Sequence, residues 1–126
     1  MNDLGYVAYR NDAYVLDLGG LASTRVLDMI RQARQPRQPA SVWMDELTRA
    51  RATDVVMIYD ESFDSVPPAW IKLGRLHLSR RKVSPTHATV NFYATRPEAV
   101  PEATAAIARF RDSLPGEVAF ALALPR

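Results

Sequence analysis

Cysteine is absent from the 126 residues. A disulfide scaffold, a thiolate zinc site and thiol catalysis are therefore excluded. The chain has two histidines, His77 and His87, so a metal held by both still needs a third ligand from elsewhere. Net charge is small as well: 16 Lys and Arg against 14 Asp and Glu leave +2, with a pI of 9.2. That excess permits contact with lipid headgroups or phosphate. It does not make the dense basic face, interleaved with aromatics, of a nucleic-acid binder, so no nucleic-acid partner is expected. No apolar run approaches the ~20 residues of a membrane helix. The longest, Val55–Tyr59 and Val118–Leu124, have strand length. Met1–Asp3 lead straight into a strand-like segment, and no signal peptide is expected. Glycine-rich phosphate loops, GxSxG and HExxH are all missing.

What remains suits one small folded domain over residues 1–126. Hydrophobic residues make up 48% of the chain, enough for a single core. Two β-prone runs, Leu4–Arg10 and Ala13–Leu18, flank Asn11-Asp12 and predict a hairpin. Ser23 can cap a helix in which Val26, Ile30 and Ala33 repeat on one face. Pro36 and Pro39 break it. Ser41 can cap a second helix with Trp43, Leu47 and Ala50 inward. Val55–Tyr59 is apolar on both faces and predicts a central strand.

A loop at 60–69 follows. From Trp70 a strand begins whose inward parity slips near Gly74, which predicts a β-bulge there. Thr86–Ala94 alternates, with Val90, Phe92 and Ala94 in and Asn91 and Tyr93 out. Pro97 or Pro101 opens a last helix with Ala103, Ile107, Phe110 and Leu114 on one stripe. Pro115-Gly116 then turns the chain into Val118–Leu124. The fold class is α/β, or its α+β relative: a mixed sheet with helices packed on it, in the order ββ-αα-β-ββ-α-β.

Several groups are candidates for chemistry. Asp60, Glu61 and Asp64 follow a buried strand, where paired carboxylates can act as acid and base or hold a cation. Phe63 and Trp70 in the same loop have faces that can stack on a sugar ring. The competing reading is a connector whose acids cap turns or a short helix, with both aromatics in the core. His77 and His87 fall opposite each other if residues 79–85 form a hairpin loop, and otherwise are an exposed polar pair. Arg75 with Arg80-Arg81-Lys82, and Arg31, Arg34 and Arg37, are basic clusters for a headgroup or phosphate, or solvated surface. Asp17, at the end of an apolar run, caps the Gly19-Gly20 turn or points into a site. No catalytic residue, metal site or cofactor is identified from these patterns.

Five segments together carry a resemblance. They are Asn2–Tyr9, Tyr14–Ser23 with its Asp17-Leu18-Gly19-Gly20-Leu21, Asp54–Tyr59, Pro68-Ala69-Trp70, and Thr89–Ala94. In order and spacing they resemble the extracytoplasmic C-terminal domain of bacterial polytopic membrane glycosyltransferases, the GT-C type that uses polyprenyl-phosphate sugar donors. In that family the catalytic aspartate lies in the membrane portion, so no catalytic residue carries over. The resemblance implies a non-catalytic accessory domain at the extracytoplasmic face of the membrane. Its partners would be the membrane portion of the same polypeptide, an acceptor glycan or lipid headgroups. It also implies that this stretch is a fragment, or a stand-alone relative, of such a protein. Two other functions stand beside it: a stand-alone ligand-binding domain or small enzyme using the acidic loop 60–64, and an interaction module pairing through a sheet edge.

Overall fold

The computed structural model describes residues 12–33, 38–79 and 87–123. The first expected strand, Leu4–Arg10, and the basic residues Arg34, Arg37, Arg80, Arg81 and Lys82 lie outside them. Residues 13–18 carry no ladder among the described residues. The chain there runs into the core, burying Leu16, Asp17 and Leu18 in succession. Three consecutive buried residues are not what a half-exposed strand shows, since strand side chains alternate between faces.

Helix α1 spans Thr24–Ala33. Its start is as expected, because Ser23 Oγ accepts the Val26 N–H at 3.3 Å. Val26 and Ala33 are buried and Ile30 packs against them, completing the i, i+4, i+7 face. Helix α2 spans Ala40–Ala50 and buries Trp43, Met44, Leu47 and Thr48. Buried Thr48 satisfies its hydroxyl by donating to Met44 O at 2.9 Å. The chain leaves α2 through Ala52, at φ 47°.

Four strands follow: β1 (Val55–Ile58), β2 (Ile71–Leu78), β3 (Thr89–Ala94) and β4 (Val118–Leu122). They form one sheet in the order β1-β3-β2-β4, and every pairing among them is antiparallel. Together with the helices this is the α+β form of the expected class, in the order αα-β-ββ-α-β. A turn of 3-10 helix (Pro97–Ala99) leads into α3 (Val100–Arg111). Proline in this first turn removes an N–H that has no helical acceptor in any case.

An apolar layer lies on each face of the sheet. One apolar layer joins Leu16, Leu18, Val26, Trp43, Met44 and Leu47 to Val56, Ile58, Trp70 and Tyr93. The other joins Leu73, Phe92 and Ala94 to Ala99, Ala103 and Ile107 of the last helical segment. This arrangement corrects two expectations. Among the described residues β1 is an edge strand, not a central one; it is apolar on both faces because a layer lies on each side of it, with Val56 and Ile58 toward α1 and α2 and Met57 toward α3. The interior strands are β3 and β2, and on β3 Asn91 and Tyr93, expected to face out, are 5% and 7% exposed.

The bulge lies where the parity slip placed it. Lys72 pairs with Tyr93 and Gly74 with Phe92, leaving Leu73 as the extra residue. The insertion puts Leu73 in the α3-side layer together with Ile71 and Leu76, so the phase change costs no apolar contact. Gly74 also accepts the close approach of β4. A Cβ there would lie 2.5 Å from Phe120 Cε1 and 2.6 Å from Ala121 O. Along α3, Ala103 and Ile107 are buried, but Phe110 is 44% exposed, so the expected stripe leaves the core before its last turns.

Candidate functional site

A cleft of about 520 Å³ opens between the helices and the loop after β1, within the size range of small-molecule sites. Four pieces of chain build it: the turn after Asp17, the inner face of α1, the start of α2 and the loop after β1. Its apolar walls are Leu18, Leu21, Ile30, Ala33, Ala40, Trp43 and Phe63, and its polar groups come from Gln38, Ser62 and Asp64. Leu21 is 81% exposed. The Trp43 and Phe63 rings meet at 6.2 Å with a 58° tilt, a favourable aromatic geometry.

The turn that presents Leu18 and Leu21 is organised by one buried carboxylate. Asp17 Oδ1 accepts the Gly19 and Gly20 N–H groups at 2.8 and 3.0 Å. Its Oδ2 accepts the Ala22 N–H at 2.7 Å. Of the two roles open to Asp17, the structure gives it the capping one. Gly20 has φ +73°, and a Cβ on it would lie 3.1 Å from Leu27 Cα. Both the left-handed backbone and the contact with α1 call for glycine.

The opposite wall is fixed by the loop clasping α2. Ser41 was expected to cap this helix, but Pro39 occupies the N-cap and provides no side-chain cap. The free N–H groups are served from 24 residues away: Asp64 Oδ1 accepts Ala40 N–H at 2.8 Å and Ser65 Oγ accepts Ser41 N–H at 3.1 Å. A carboxylate at a helix N-terminus is favoured both by hydrogen bonding and by the helix dipole. Ser65 Oγ in turn donates to Ser41 Oγ at 3.0 Å.

The loop residues singled out from sequence divide between two places. Phe63 and Asp64 line the cleft. Asp60 and Trp70 gather instead around Tyr93. The Tyr93 hydroxyl donates to Asp60 Oδ2 at 2.7 Å, and Lys72 Nζ stands 3.6 Å from the same oxygen. Trp70 is 6% exposed and tilts against Tyr93 at 6.0 Å, so its ring belongs to the core. Burial, then the bond to Asp60, holds the Tyr93 phenol well above the usual tyrosine range. Asp60 Oδ1 and Asn91 Oδ1 are buried without a hydrogen-bond partner among the described residues. Glu61 is exposed on the 3-10 turn Asp60–Ser62.

The histidines are not opposite each other. His77 pairs in register with Thr89 and its Nδ1 is 3.0 Å from Thr89 Oγ1. His87 packs its ring on Tyr59 at 5.4 Å. Among the described residues no group of three or more acidic or histidine side chains could hold a metal ion. No described helix is long and apolar enough to cross a membrane.

Sequence reasoning assigned Ile30, Ala33 and Trp43 to the core and Leu18 to a strand end, and named Leu21 only within the Tyr14–Ser23 segment. It did not mark them as a cleft. The one available signal was Leu21, a large apolar residue directly after Gly19-Gly20. The chain belongs to the family described as Domain of unknown function (DUF8728), which matches residues 1–93. All of the cleft residues fall within that span. Comparison with curated proteins and with solved structures gave no match.

Proposed function

We propose that this member of the family is a non-catalytic extracytoplasmic accessory domain of a membrane glycosyltransferase using polyprenyl-phosphate sugar donors, and that its cleft binds part of the acceptor glycan. The observation that carries the reading is the cleft itself. Half-buried Phe63 stands in its wall beside Gln38, Ser62 and Asp64, backed by Trp43, which is 6% exposed and belongs to the core. Aromatic surface next to hydrogen-bonding groups is the combination that sugar rings use, one face apolar and the edges polar. The second of the segments that resemble the glycosyltransferase domain supplies one of its walls, Leu18–Leu21. The membrane portion of the same polypeptide is the natural partner under this reading.

The acidic loop lends less to a stand-alone enzyme. Asp60 is engaged by Tyr93 and Lys72, and Asp64 by the start of α2. Groups committed to the fold in this way are poor proton shuttles, because a transfer would break the contacts that position them.

The test is an NMR titration of the ¹⁵N-labelled chain with glycan fragments. Saturable shifts are expected at the Trp43 indole N–H and at the Gln38, Ser62 and Phe63 amides. Shifts confined to another surface, with these groups unmoved, would refute the reading.

A further inference from the structure

We propose that β4, an edge strand among the described residues, is a self-association edge: two copies of this chain join β4 to β4 in antiparallel fashion about a two-fold axis through Phe120, making one continuous sheet. The two edges of the sheet differ in protection. Beside β1, Asp54 pairs with Arg96, and the strand is flanked by Asp54 and by the Asp60 turn. Charges at an edge discourage strand addition. β4 reads Val-Ala-Phe-Ala-Leu, with no charge and no proline in it. Its Leu122 is 47% exposed.

The phase of the ladder fixes how a second copy fits. Ser79 N–H donates to Glu117 O and Ala123 N–H to Leu73 O. With Phe120 opposite Leu76, the odd-numbered residues of β4 turn their main-chain groups toward β2. Phe120 and Leu122 turn theirs outward, since the direction alternates along an antiparallel strand. A two-fold axis through an outward-facing residue is self-complementary: Phe120 exchanges both of its hydrogen bonds with Phe120 of the copy. Leu122 then lies opposite Val118 of the copy, which covers the exposed leucine by a cross-strand apolar pair. On the other face Ala119 lies opposite Ala121 of the copy. Both alanines are exposed, and their small side chains let the strands close. A five-residue strand buries less than the roughly 800 Å² per partner of a standard interface, so the dimer is a weak one.

Sedimentation equilibrium of the chain over about 10 µM to about 1 mM tests this, using two charge variants. In the sheet Ala119 neighbours His77 and Ala121 neighbours Arg75, so glutamates at these positions are compatible with the fold, which circular dichroism verifies. Ala119→Glu with Ala121→Glu sets two like-charged pairs directly across the axis and is expected to weaken association at least tenfold. Ala119→Lys with Ala121→Glu sets two opposite-charged pairs there and is expected to recover the wild-type association or exceed it. A wild-type chain that stays monomeric up to about 1 mM would overturn the proposal. So would open-ended polymers, or a dimer whose affinity is the same in both variants.

Discussion

Gly74→Ala tests whether the bulge and the β4 contact together define the sheet. The added methyl carbon would sit 2.5 and 2.7 Å from Phe120 Cε1 and Cζ and 2.6 Å from Ala121 O. Ring atoms can swing away, but a strand carbonyl cannot without shifting the ladder. Overpacking of this kind costs about 1–3 kcal/mol. Moving the Phe120 ring also breaks its edge contact with Phe92, at 5.3 Å and 70°, worth about 0.5–1.5 kcal/mol. The sum, about 1.5–4.5 kcal/mol, corresponds to a fall in Tm of roughly 6–17 °C for a domain of this size. Urea denaturation followed by circular dichroism gives the free energy directly. A cycle with Phe120→Ala divides it: with the ring gone only the Ala121 carbonyl still obstructs, so the cost of Gly74→Ala is expected to drop by about 1–2 kcal/mol. A loss below about 0.5 kcal/mol in the wild-type background would refute the reasoning. So would an undiminished loss in the Phe120→Ala background.

Asp17→Ala removes the acceptor of three N–H groups in a nearly buried turn and is expected to cost about 2–4 kcal/mol; Asp17→Asn, which keeps one acceptor oxygen, is expected to cost less in the same denaturation assay. Asp64→Ala strips the carboxylate from the start of α2 and is expected to cost about 1 kcal/mol, with faster amide exchange at Ala40, while Asp64→Asn stays near wild type. Tyr93 bears on alkaline stability. Its phenol titrates above its ordinary value, from burial first and the Asp60 bond second, so the folded state holds a proton that the unfolded chain releases near pH 10. That contribution is complete below pH ~10 and declines as pH rises beyond it. Tyr93→Phe is expected to flatten the decline, and an unchanged alkaline unfolding curve in that variant would contradict the assignment.

Local rules made several elements readable from sequence. Ser23 before an i, i+4, i+7 face announced α1, because capping and periodicity are set within one turn of chain. The parity slip around Gly74 announced the bulge, since strand side chains alternate strictly and a change of phase needs an extra residue. Proline at 97 and 101 marked the entry to α3 for an equally local reason. Phe63 and Asp64 were legible as notable loop residues, though not as parts of a cleft.

What tertiary structure alone decided involves partners far apart in the chain. Val55–Ile58 reads as central because it is apolar on both faces, but coverage by two layers produces that pattern at an edge as readily as in the interior. Tyr93 and Asn91 look outward-facing because they alternate with Val90, Phe92 and Ala94; only the layer that holds α1 and α2 buries Tyr93, and only the return of the chain at Asp60 gives its hydroxyl an acceptor. The cap of α2 comes from Asp64, 24 residues from the N–H it serves, so no inspection of the helix's own sequence reveals it. The sequence by itself determined which segments become helices and strands and where their phase breaks. The order of the strands, the cleft between α1 and the 60–64 loop and the division of that loop's residues between cleft and core were decided by contacts whose free energy exists only once the layers have assembled.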